Sequence, residues 1–371
     1  MDATLAELKT WIETESPTSE PASVNAMMGI AADAFRALGA GITRYEGRNG
    51  AGDHLSVTMP WGDGKGILIL CHLDTVHPLG TLETLPFKVD GDKVYGPGSC
   101  DMKSGVFMAL TALREIVASG QTPPLPVRLL LTADEETGSA TSRGLIETAA
   151  DDAHFALVTE AGRDGGKVVT GRRGVGRYGI SVQGRAAHAG VRHAEGRSAI
   201  AEMARQVLAI EAMTDYEAGL TLNVGRIHGG TVDNTVPEFC HARIDARVAT
   251  PELARMIDAK LRAITPIGKD VSVTVTGEIN RPPYRREGPI DTLYRYAESV
   301  ANDLGQPLGD TATGGGSDGS LIANKIPVLD GLGPEGSGAH TLHEHFFYST
   351  FAPRVALFRR LIETLKPSIL T

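Results

Sequence analysis

Five side chains, far apart in the sequence, carry the chemistry that this chain offers. His72 closes the apolar run Ile67-Leu-Ile-Leu-Cys-His72, and Asp74 follows two residues later. Asp101 lies in the glycine-rich stretch Gly96-Pro-Gly-Ser-Cys-Asp101-Met-Lys103. Glu136 stands in Asp134-Glu135-Glu136-Thr-Gly138, Glu160 in Thr159-Glu160-Ala161, and His340 in Gly338-Ala-His340-Thr-Leu-His343-Glu344-His345. The set His72, Asp101, Glu136, Glu160 and His340 offers carboxylate oxygens and imidazole nitrogens together. Zn2+ accepts such a mixture, with Co2+ or Mn2+ as possible substitutes, whereas Ca2+ takes oxygens only. Five protein donors are too many for one tetrahedral catalytic ion that keeps a water. They suit two ions that share a carboxylate, roughly 3.5–4 Å apart, with a nucleophilic water clamped between them. Asp74 would lie on the same face as His72 in extended chain and could fix its ring. Singly, each residue has a plainer reading: a satisfied core histidine, an N-capping aspartate, a solvated acidic loop.

The elements that must position these residues argue against the plainer readings. Residues 67–70, 127–133 and 155–159 are apolar runs, read as buried strands of a parallel sheet. Each ends in a histidine or a carboxylate. In open α/β sheets the carboxyl ends of the strands are where ligands bind. Helices are expected over residues 4–13, 21–38, 101–118, 290–304 and 352–365, from apolar spacing and from Pro21, Gly39 and Gly120 as end signals. Short strands are expected at 42–46, 55–59 and 326–329. The middle of the chain has another rhythm: strand 178–183, helix 198–214, strands 221–227 and 240–248, helix 251–264, strand 271–276. That β-α-β-β-α-β order is the ferredoxin-like unit.

A length of 371 residues makes two domains the expectation. The net charge of −9, without a basic run, argues against nucleic acid or an anionic membrane as partner. No apolar run approaches membrane-spanning length, and the first residues carry no apolar signal segment. Cys71, Cys100 and Cys240 form no CxxC pair, which fits reduced thiols and a cytoplasmic location.

The successive motifs Leu70-Cys-His72-Leu-Asp74-Thr-Val76, Gly96-x-Gly-x-x-Asp101-Met-Lys103, Asp134-Glu135-Glu136-Thr-Gly138 and Thr159-Glu160-Ala161 resemble those of one family. It is the co-catalytic dizinc amidohydrolase and exopeptidase family typified by glutamate carboxypeptidase, acetylornithine deacetylase and succinyl-diaminopimelate desuccinylase. The resemblance covers essentially the whole chain. It implies an α/β catalytic domain at residues 1–174 and 282–371, with a mostly parallel sheet flanked by helices. An inserted α+β ferredoxin-like domain at 175–281 would be the lid and would form a homodimer. By the same resemblance, His72 and Glu160 bind one zinc, Glu136 and a C-terminal histidine bind the other, and Asp101 bridges the two ions. Glu135 is the general base and Asp74 orients His72. The family's ligand follows a glycine-rich turn and precedes an acid by four, which selects His340, with Glu344, over His343 and His345. Cys71 stands where the family usually has glycine, with its side chain expected to face away from the metals. His188, in Gly184-Arg-Ala-Ala-His188-Ala-Gly190, matches the lid histidine that polarises the scissile carbonyl, typically from the neighbouring subunit. Asn234 and Arg281 match positions that reach the substrate, and Gly314 and Gly315 belong to a loop of backbone N–H donors suited to an anion.

The function implied is a hydrolase of an amide next to a free carboxylate, releasing a C-terminal amino acid such as glutamate from a small peptide or N-acyl amino acid. The Arg281-Pro-Pro283 and Gly314-Gly-Gly-Ser-Asp318 stretches look more like glutamate carboxypeptidase. An N-acyl-amino-acid deacylase, of the acetylornithine or desuccinylase type, is the alternative. A non-catalytic relative would lack Glu135 or a ligand, and here every position is filled.

Overall fold

The computed structural model describes residues 3–370. The chain divides into two units. The first contains the residues before Arg172, Arg285–Ala312 and the residues after Gly316; the second contains Arg172–Tyr284 and Thr313–Gly316.

The first unit is built on a six-stranded sheet. Its first five strands are β1 (Gly41–Tyr45), β2 (His54–Thr58), β3 (Gly66–His72), β4 (Val127–Thr132) and β5 (Ala153–Val158). In space they run β1-β2-β4-β3-β5. β1, β2 and β4 pair antiparallel, while β3 lies parallel to β4 on one side and to β5 on the other. Every residue of β3 is buried, because helices cover both faces of the sheet there. Alternation then sorts its side chains. Ile67, Ile69 and Cys71 enter one core, with residues of α1 (Ala3–Glu13), α2 (Pro21–Arg36) and α3 (Ser104–Ser119). Leu68 and Leu70 enter another, against Ile146 and Ala150 of α4 (Arg143–Asp151). A fully buried leucine of this kind contributes a few kcal/mol, so the strand is fixed in place before any ligand acts on it.

The second unit contains β6 (Gly174–Gln183), α5 (Ala199–Glu211), β7 (Leu220–Gly229), β8 (Phe239–Val248), α6 (Pro251–Arg262) and β9 (Ser272–Arg281). The sheet order is β7-β8-β6-β9, antiparallel throughout, which is the ferredoxin-like arrangement. Its core is its own: Tyr178, Ile180 and Val182 from β6, Ala242 and Ile244 from β8, Met203 and Ile210 from α5, Ile257 and Leu261 from α6. The helix starts carry caps. The Ser198 hydroxyl accepts from the Ala201 N–H, and the Thr250 hydroxyl from the Leu253 N–H.

The chain then returns to the first unit with α7 (Pro289–Asp303), β10 (Val328–Leu329) beside β5, and α8 (Phe351–Thr364). The ring of Phe351 of α8 lies tilted 6.1 Å from that of Phe107 of α3, which meets Trp11 of α1 edge-on at 5.6 Å. Several boundaries depart from the sequence expectation, among them the start of β6, which lies at Gly174 and not at residue 178. The helix expected from residue 101 begins at Ser104, and Asp101 is non-helical (φ −120°, ψ 96°) in front of it. The strand expected to end at 276 runs on to Arg281. Among the described residues no helix is long and apolar enough to cross a membrane.

Candidate active site

Three strand ends and two loops of the first unit bring the predicted ligands together. His72 is the last residue of β3 and is buried. Its Nδ1–H donates to the backbone carbonyl of Asp74 at 3.0 Å. Nε2 therefore faces the site, 3.0 Å from Asp101 Oδ1 and 3.6 Å from Glu160 Oε1. Glu160 follows the end of β5. Glu135 and Glu136 lie in the single 3-10 turn Glu135–Thr137 that follows β4. His340, on a turn with positive φ (65°), places Nε2 3.3 Å from Asp101 Oδ2 and 3.2 Å from Glu136 Oε2. The two oxygens of Asp101 thus face two different groups: His72 with Glu160, and His340 with Glu136. His343 and His345 stay outside this shell; the His345 ring Nδ1–H donates to the carbonyl of His343 at 2.7 Å.

A set of buried acceptors holds these ligands from behind. The Asp74 carboxylate lies 3.5 Å from His72 Nδ1, so the ring is held by the Asp74 carbonyl rather than by the carboxylate. That carboxylate instead accepts the N–H groups of Glu135 and Glu136, at 3.2 Å each, and the Thr18 hydroxyl at 2.7 Å. Asp134 turns the other way. It accepts from the Thr141 N–H and both the Thr141 and Ser142 hydroxyls, and so ties down the loop leading to α4. His54 joins this network, with Nδ1 accepting from the Ala133 N–H and Nε2 donating to Thr141. Its burial lowers the imidazole below its ordinary range, which keeps the ring in that neutral form.

Asp101 is placed by Glu344. The Glu344 carboxylate is buried and accepts the N–H groups of Cys100 and Asp101 at 2.9 Å and of Gly98 at 3.0 Å. It also takes the ring nitrogen of His77 at 2.6 Å. These bonds draw the Gly96–Asp101 backbone away from helical geometry, which is why α3 starts late. In the sequence Glu344 is marked only by its spacing from His340, and His77 and His54 carry no periodic pattern that would single them out. Beneath the same loop Lys103 is fully buried and donates to the Thr14 carbonyl at 2.7 Å; burial lowers its ammonium to about 7. Gly105 lets α3 reach β5. A Cβ there would lie 1.9 Å from the carbonyl oxygen of Thr159, next to Glu160. Cys71 points into the core, with its thiol 3.3 Å from the Thr159 hydroxyl, and burial pushes it up to about 12.

The electrostatics are those of a cation site. Burial works against ionised Asp101, yet hydrogen bonds from His340 and His72 hold its carboxyl below the usual range. Burial likewise opposes a charged His72, but its contacts with Asp101, Asp74 and Glu160 raise the imidazole well above its ordinary value. His340 is raised to about 10 by Asp101 and Glu136, and burial pushes Glu136 up to about 8. Protons on the two histidines therefore take the place that cations would. Glu136 Oε1 is buried and, among the described residues, has no hydrogen-bond partner. One donor atom each from His72, Asp101 and Glu136 lie within 4.8 Å of one another. An unpaired buried oxygen on a carboxylate grouped with imidazole and carboxylate donors fits a metal ion.

The other predicted residues belong to the second unit. His188 is exposed on a two-stranded ribbon, Ala187–His188 paired with Thr235–Val236. Its Nδ1 accepts from the Gly190 N–H at 3.1 Å, so the neutral ring carries its proton on Nε2. The carbonyl of Asn234, one residue before the facing strand, accepts from Ala189 at 2.8 Å. Arg281 ends β9 and is buried. The glycine loop lies beside it, since a Cβ on Gly316 would come within 2.9 Å of Arg281 Cγ. Arg172 donates to the carbonyls of Gly315 and Gly316, and Arg247 to that of Gly314. The loop is thus framed by three arginines.

Residues 68–364 match the peptidase family M20/M25/M40. The chain is 29% identical over 377 residues to carboxypeptidase G2 of Pseudomonas sp. (strain RS-16), covering 98% of this chain and 89% of that protein. It is 26% identical to a succinyl-diaminopimelate desuccinylase of Verminephrobacter eiseniae (strain EF01-2), covering 82% and 80%. In fold it is similar to the M20 family metallo-carboxypeptidase Sso-CP2 from Sulfolobus solfataricus. The TM-score is 0.77 at 16% identity, and the match covers 98% of this chain and 99% of that one.

Proposed function

This chain belongs to peptidase family M20/M25/M40, and from that premise we propose that it is a dizinc carboxypeptidase that removes a C-terminal amino acid such as glutamate. It is a hydrolase of amide bonds. The observation that carries the dinuclear reading is the Asp101 carboxylate, with one oxygen toward His72 and Glu160 and the other toward His340 and Glu136. Those five residues would hold two Zn2+ ions, for which Co2+ or Mn2+ could substitute. When bound, such ions polarise a carbonyl and make water acidic enough to attack near neutral pH. Glu135 takes the proton of the attacking water and passes it to the leaving nitrogen. Asp74 acts on this chemistry at one remove, by fixing the backbone of Glu135 and Glu136.

His188 offers an Nε2–H donor for the scissile carbonyl. Arg281 grips the free α-carboxylate by its planar fork, with Asn234 and the Gly314–Gly315 loop beside the substrate. The similarity to carboxypeptidase G2 supports release of a C-terminal residue; the similarity to a desuccinylase supports the alternative, an N-acyl-amino-acid deacylase. The second unit forms the lid and the contact surface of a homodimer. The three cysteines are free and buried, which fits a reducing cytoplasm.

The test is a panel of peptides and N-acyl amino acids, each with a free and an amidated terminus, assayed after chelation and after zinc is restored. Release of the terminal amino acid should require the metal and the free carboxylate. Arg281→Ala should lower kcat/KM roughly ten- to a hundredfold for the acids and much less for the amides. Equal losses on both would remove the carboxylate role, and release of an acyl group instead would favour the deacylase.

A further inference from the structure

Arg354, in the first turn of α8, is buried at 6% exposure. A guanidinium has five N–H donors and no acceptor. Among the described residues only one acceptor meets it, the carbonyl of Gly166, bonded to Nη2. The turn that carries Gly166 is shaped around this head group, because a Cβ on Gly162 would lie 2.8 Å from Nη2. Arg354 also lines a cleft of about 190 Å³, together with Gly165, Gln306, Leu308 and Glu335. None of His72, Asp101, Glu136, Glu160 or His340 lines it.

A buried cation is costly unless an anion and further acceptors surround it. Glu335 does not supply that pairing. Among the described residues no ion pair joins it to Arg354, and its Oε1 accepts the Gly165 N–H at 2.7 Å. The cleft's hydroxyls are also committed elsewhere. Ser349 donates to Asp92 and Thr350 to the carbonyl of Phe347. A guanidinium needed only to prop the 162–166 turn would use one donor, and a neutral side chain could do that without the cost of burying charge. Burial lowers this group to about 10, opposed by Glu335.

We propose that this cleft is a second ligand site, which takes a small oxyanion, a carboxylate or a phosphate, on the N–H groups of Arg354 that the protein leaves unmet. Glu335 at the cleft then weakens the site by repulsion, so the affinity is set by two residues of opposite sign.

The experiment is calorimetric titration of the zinc-loaded full-length chain with acetate and with inorganic phosphate, at ionic strength held constant with chloride. Wild type, Arg354→Met and Glu335→Gln are compared. At least one anion should bind wild type in a step that weakens roughly ten- to a hundredfold in Arg354→Met and strengthens several-fold in Glu335→Gln. Anion taken up at the zinc centre would persist in Arg354→Met, and so is told apart. Preference for phosphate or for acetate identifies the source, and either upholds the site. Binding that neither substitution alters, or no binding beyond the chloride control, overturns it. Should Arg354→Met fail to fold, Glu335→Gln decides alone: an unchanged affinity there rejects the proposal.

Discussion

Glu135 and Glu136 are adjacent in one turn, and both backbone N–H groups go to Asp74. The proposed function gives their side chains different tasks. Glu136 reaches His340 at 3.2 Å and leaves a buried oxygen without a partner, as a ligand would. Glu135→Gln should therefore keep both metals while kcat falls by roughly 10²–10⁴. Glu136→Gln should lose metal first. Metal analysis beside turnover separates the two, and loss of zinc from Glu135→Gln would mean that the roles are exchanged. The same geometry predicts the response to pH. In the metal-free protein the facing carboxylates raise His72 well above its ordinary value and His340 to about 10, so both rings favour their protonated forms. Zinc must displace those protons, so uptake at pH 7 should release protons, and affinity should weaken as pH falls. Calorimetry in buffers of different ionisation enthalpy measures the release; uptake without it would contradict the imidazolium reading.

At the scale of elements, the loop before α3 is the part most dependent on a distant acid. Glu344 receives N–H groups from Gly98, Cys100 and Asp101, and His77 meets the same oxygen as Gly98. Glu344→Gln cannot accept all of these, so Asp101 should lose its fixed orientation. Zinc affinity should drop about ten- to a hundredfold while the protein stays folded. Competition with a chelator measures it, and unchanged affinity would reduce Glu344 to a packing role. This loop also marks where the sequence stops being legible. β3, β4 and β5 are readable because a strand buried on both faces must be apolar at every position, and the ligands interrupt that rule at each end. The start of α3 is not readable, because the carboxylate that holds the Cys100 N–H just before it, that of Glu344, lies 244 residues away. His77 and His54 escape for the same reason: their partners, Glu344 and Thr141, are made neighbours by the fold and not by the chain. The extension of β9 past Gly277 to Arg281 comes from pairing with β6, which overrides a local sequence that does not alternate.

At the scale of the molecule, the predicted ligands lie in one unit and His188 in the other. If His188 serves the site of a second copy, His188→Ala and Glu135→Gln impair different sites of one dimer. Mixing the two inactive proteins under conditions of subunit exchange should restore part of the activity, up to about a quarter for one intact site in half of the dimers. No recovery despite demonstrated exchange would place His188 in its own subunit's site or outside catalysis.

The two ends of the ferredoxin-like segment are zipped together. The Arg172 N–H donates to the Tyr284 carbonyl at 3.0 Å, and the Tyr284 N–H to the Arg172 carbonyl at 3.1 Å. For a lineage of such enzymes, that pair of bonds works like a clasp on a removable cassette. Whatever lies between residues 172 and 284 can drift, lengthen or be exchanged without moving the points where the chain leaves and re-enters. On the proposed function, the half that would hold the metals can then stay nearly constant while the other half varies. The segment should accordingly survive alone: residues 172–284, made as a separate polypeptide, should melt cooperatively around their own core. A non-cooperative melt would show that the clasp holds only when the remainder of the chain is present.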